Sequence, residues 1–132
     1  EQLTEAIEII HSLIRRDARS IIAFADSVGQ SRALSSALRL QGITSNHLDA
    51  QTSITERSSI VDGFRAGDVR VLVNYGILTT GFDAPNADAV AIFRNTEDSD
   101  QPVIQQMIGR GLRGTRAEGG TDSCLVYIRG VN

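Results

Sequence analysis

The chain has 132 residues, 41% of them hydrophobic, and a formal net charge of −3. That supports one globular domain with its own core and excludes a uniformly basic coat for nucleic acid. Cys124 is the only cysteine and all thirteen basic residues are arginine, so neither an internal disulfide nor the phosphate-binding lysine of a Walker A loop is possible.

No apolar run approaches the roughly 18 residues of a membrane span, and no membrane partner is expected. A cytoplasmic location fits this composition. Any attraction for a polyanion has to come from charge gathered locally.

In chain order, Leu3, Ala6, Ile7, Ile10, Leu13 and Ile14 fall at helical spacing and predict a helix that ends at Arg15-Arg16-Asp17. Ser20 to Ala25 is a short apolar run of the kind found in buried parallel strands. Ala33, Leu34, Ala37, Leu38 and Leu40 predict a second helix, with Gly42 placed where it would stop. Ile43 to Leu48 reads as the next strand.

Ser53-Ile54-Thr55-Glu56 is a capping box. It opens a helix that carries Ile60, Val61 and Phe64 and ends at Ala66-Gly67. Val69 to Val73 and Ala87 to Phe93 are the third and fourth strands. Pro102 starts a helix through Val103, Ile104, Met107 and Ile108, Gly114 to Asp122 is a loop, and Leu125 to Ile128 closes the set. Cys124, in the apolar run beside that strand, reads as a buried, inert thiol. Strands and helices alternate throughout. The predicted fold is therefore a doubly wound α/β domain over residues 1–132, with a mainly parallel sheet and helices on both faces.

Functional loops of such folds gather at the carboxyl ends of the strands. After the first strand come Asp26 and Ser27, whose ordinary role is to cap a helix. After the third, Asn74-Tyr75-Gly76-Ile77-Leu78-Thr79-Thr80-Gly81-Phe82-Asp83-Ala84-Pro85 brings two hydroxyls, a glycine amide and a carboxylate together. Such groups bind phosphate oxygens and ribose hydroxyls, but a plain turn in which Asp83 satisfies its own loop amides fits equally. In Gln106-Met107-Ile108-Gly109-Arg110-Gly111-Leu112-Arg113, two arginines stand three residues apart on one helix face. Two guanidiniums converging in this way suit a phosphate group.

The order and spacing of these segments resemble motifs V and VI of superfamily 2 helicases. Gln106-x-x-Gly109-Arg110-x-x-Arg113 matches the signature of that superfamily. Ser20 to Ala25 is similar to motif IV, and Glu56-Arg57 through Phe64-Arg65-Ala66-Gly67 resembles the segment leading into motif V. The Thr79–Pro85 and Gln105–Gly114 stretches are most similar to a narrower group, which holds DNA-repair helicases of the RadD type and the motor subunits of type I and type III restriction enzymes.

The resemblance implies the second RecA-like domain of an ATP-driven motor, in a longer protein. An N-terminal RecA-like domain in the same polypeptide would supply most of the ATP and Mg2+ site. Arg113 would then be the arginine finger on the γ-phosphate, Arg110 a second phosphate contact, and Gln106 the residue that orients water or the γ-phosphate. Gly81, Asp83 and Gly109 would approach the nucleotide, with Asp83 on the ribose. Thr79, Thr80, Asn74, Tyr75 and Arg57 would lie along the DNA backbone, and Arg94 is a further candidate there. For Arg57 and Arg94 a surface salt bridge is an equal alternative.

Tyr75 stands where DEAD-box proteins carry an RNA-binding threonine, and Met107 stands where their motif VI carries an arginine. Both departures point to DNA. The rival readings are the motor subunit of a restriction endonuclease and a non-catalytic RecA-like module that binds nucleic acid.

Overall fold

The computed structural model describes residues 2–75, 87–93 and 125–128. In chain order these form α1 (Gln2–Arg15), β1 (Ile21–Phe24), α2 (Val28–Leu40), β2 (Ser45–Leu48), α3 (Ile54–Ala66), β3 (Val71–Asn74), β4 (Ala89–Ile92) and β5 (Leu125–Ile128). The predicted helix from Pro102 and the loop from Gly114 lie outside the described residues, as does Cys124.

The strands make one sheet in the order β2-β3-β1-β4-β5, with every neighbouring pair parallel. Phe24 of β1 stands opposite Asn74 on one side and Ile92 on the other. Every residue of β1, β3 and β4 is buried. A parallel sheet covered on both faces requires this, and it explains why these strands read as continuous apolar runs rather than alternating ones.

Alternation survives in where the side chains go, because successive strand residues point to opposite faces. Ile21, Ala23, Val71, Val73, Ala89 and Ala91 join Ala6, Ile10 and Leu13 of α1 and Leu34 and Leu38 of α2. Ile22, Phe24, Leu48, Leu72, Val90 and Ile92 join Val61 and Phe64 of α3. The fold is thus doubly wound, with α1 and α2 on one face and α3 on the other.

The helix ends follow their chemistry. Ser27 caps α2, its hydroxyl accepting the Gln30 amide at 3.0 Å, so the helix begins five residues before the apolar stripe that announced it. Ser53 caps α3 by accepting the Glu56 amide at 3.1 Å, while its own hydroxyl donates to the Glu56 carboxylate at 3.3 Å. The glutamate's return contact thus reaches the capping hydroxyl. Gly67 ends α3 at φ 89°, a left-handed position that a side chain would strain.

Phe64 is fully buried, whereas Ile54, on the first turn of the same helix, is 79% exposed. Phe64→Ala should lower unfolding stability by about 3–5 kcal/mol. Ile54→Ala should change it by no more than about 0.5 kcal/mol. Urea denaturation of the two variants measures the difference.

Candidate functional site

Because all five strands run the same way, Phe24, Leu48, Asn74, Ile92 and Ile128 end along one edge of the sheet. The segments leaving β1, β2 and β3 there begin with Ala25-Asp26-Ser27, Asp49 and Tyr75. This carboxyl edge is the candidate site.

The groups expected along this edge divide by position. Ser27 is a helix cap, as its residue type suggested. Tyr75 is 37% exposed at the end of β3, where its amide donates to the Leu48 carbonyl at 3.2 Å. Arg57 lies in the second turn of α3, half-buried. Its Nε is out of solvent and has no hydrogen-bond partner among the described residues.

Asn74 is fully buried, and its Nδ2 donates to the Ala23 carbonyl of the neighbouring strand at 3.0 Å. Its polar head ties β3 to β1 inside the sheet. Thr79, Thr80, Gly81, Asp83, Arg94, Gln106, Gly109, Arg110 and Arg113 lie outside the described residues.

A polar cluster that the sequence reading missed stands at the end of β2. The Asp49 carboxylate, 3% exposed, receives His47 Nε2 at 2.7 Å, the Gln51 amide at 2.6 Å and the Arg32 guanidinium at 3.6 Å. The other imidazole nitrogen, Nδ1, meets the Ser31 hydroxyl at 2.5 Å. Residues two apart at a strand end share a face, so His47-x-Asp49 was a legible signal. Ser31 and Arg32 come from another element, and nothing local pointed to them.

The row continues down the strand. Ser45 Oγ donates to Ser35 Oγ at 3.0 Å, and Arg39 donates to the Ser45 carbonyl at 2.8 Å and to Asn46 Oδ1 at 2.7 Å. Edge strand β2 and helix α2 are therefore joined by a ladder of polar contacts. Although Ser31, His47 and Asp49 form a serine–histidine–aspartate chain, the serine is fully buried. No substrate reaches it, and the chain is structural.

A cavity of about 410 Å³ lies at the opposite edge of the sheet, between the end of α2 and Asp68-Val69. Among the described residues, no group of three or more His, Cys, Asp or Glu side chains could hold a metal ion. No helix there is long and apolar enough to cross a membrane.

Comparison with known proteins places this geometry. The helicase conserved C-terminal domain matches residues 5–115. A Saccharomyces cerevisiae protein provisionally named ATP-dependent helicase IRC3 is 32% identical over 104 residues, which are 79% of this chain and 15% of that protein. A Schizosaccharomyces pombe protein, provisionally named a mitochondrial ATP-dependent helicase, is 37% identical over 107 residues, or 81% of this chain and 17% of its own. The chain thus spans less than a fifth of the length of these curated relatives. Among solved structures, the C-terminal domain of the DEAD-box protein Dbp5 superposes with a TM-score of 0.75 at 21% identity, covering 96% of this chain and 69% of that one. The fold is that of a RecA-like helicase C-terminal domain.

The Asp49 carboxyl is held below its ordinary value of 3.8. The His47 hydrogen bond is the main cause; burial opposes it, and the Gln51 amide and the charges of His47 and Arg32 assist. A depressed folded-state pKa favours the native state above the unfolded value, and that stability is lost as pH falls through the folded value. The unfolding advantage of the native chain over Asp49→Asn should therefore shrink as pH falls below about 4. Urea midpoints of the two proteins, compared from neutral pH downward, check this.

Proposed function

The chain belongs to the helicase conserved C-terminal domain family, and on that premise we propose that it is the second RecA-like domain of a two-domain, ATP-driven DNA motor. One observation supports the reading above the others. The matched stretch, 5–115, spans both Thr79–Asp83 and Gln106–Arg113, and the first of these follows β3 from the sheet's carboxyl edge. A non-catalytic module would have no need of Gln106, Arg110 and Arg113 together.

In the proposed motor, ATP lies between this domain and an N-terminal RecA-like partner that supplies the lysine and the Mg2+ ligands. Arg113 reaches the γ-phosphate as the arginine finger, with Arg110 beside it and Gln106 orienting water. Gly81, Gly109 and Asp83 flank the nucleotide, the carboxylate taking the ribose. Thr79, Thr80, Tyr75 and Arg57 follow the nucleic-acid backbone, a grip that is independent of sequence. Tyr75 and Met107, in place of the threonine and arginine of DEAD-box proteins, favour DNA over RNA. With one cysteine the domain has no use for an oxidising compartment, and a cytoplasmic setting is proposed.

The magnitude of the finger explains the coupling. An arginine finger contributes roughly 10³–10⁵ in rate, or about 4–7 kcal/mol of transition-state stabilisation. If the two domains must close to deliver it, hydrolysis is fast only in the closed state, and closing and reopening advance the pair along the strand.

Two experiments test the proposal. The 132-residue chain alone should release no phosphate from ATP, because it has no lysine to hold the triphosphate; turnover by the pure chain would refute the assignment. In the full-length protein, Arg113→Lys should reduce DNA-stimulated ATPase by at least about 100-fold. Oligonucleotide binding should stay within about twofold, since a point charge replaces the guanidinium fork only at the nucleotide. Normal hydrolysis by that variant would move the finger to Arg110.

A further inference from the structure

We draw no further inference here: the strongest candidate, the cavity of about 410 Å³ between the end of α2 and Asp68-Val69, lined also by Ser45 and Asn46 of β2, carries none because nothing in the structure shows what covers it.

Discussion

Parallel pairing on both sides of β1 is the constraint on which the rest of this structure depends. Ile21 to Phe24 are at most 1% exposed, so their amides and carbonyls must be satisfied by β3 and β4, and their side chains by helices on two faces. Parallel neighbours cannot be joined by a tight turn; each connection has to cross over the sheet. The same requirement therefore places helices on both faces and gathers the carboxyl ends of the strands along one edge. A surface assembled from segments far apart in the chain follows directly from the hydrogen-bond pattern of one central strand.

At the margin of the sheet the physics changes. Among the described residues β2 has a neighbour on one side only, and its flank is closed by polar contacts to α2. Arg39, Ser35 and Ser31 meet Ser45, Asn46 and His47 in register, and Arg32 meets Asp49. Apolar side chains would stabilise such a contact at least as well but would permit sliding, whereas directional donors and acceptors hold one alignment. Arg39 on the Ser45 carbonyl also occupies an edge group that would otherwise be open to another strand.

The absence of lysine gives the domain its character in the proposed motor. Arginines that stabilise a transferring phosphoryl group contribute only where the nucleotide is held by something else. In the proposed motor such a domain would have no chemistry of its own, and its contribution would depend on docking geometry. A carboxyl edge held rigidly by a buried Asn74 bridge on one side of β3 and a buried Asp49 cluster on the other suits that task.

Much of the fold was legible because its signals are local. The apolar runs of β1, β3 and β4, the Ser53 cap and the left-handed Gly67 each depend on residues within one turn or one strand. β1, β2 and β4 are shorter than their apolar runs, although sheet hydrogen bonds continue past their ends, Ala25 donating to the Asn74 carbonyl and Phe93 to the Phe24 carbonyl. The inward bond of Asn74 was not legible, because an amide at a strand end looks the same in sequence whether it faces solvent or the neighbouring strand. The His47–Asp49 cluster was missed because Ser31 and Arg32 reach it from 16 or more residues away.

The sequence by itself determined the alternation of elements, the family signature and the lack of a lysine, all properties of residue type and short-range spacing. Tertiary structure alone decided that β1 takes the centre, that Asn74 turns inward, and that Arg32 of α2 comes within 3.6 Å of the Asp49 carboxylate at the candidate edge. Those outcomes depend on which distant backbone and side-chain groups come within hydrogen-bond or ion-pair reach, and sheet order rather than sequence separation sets that distance.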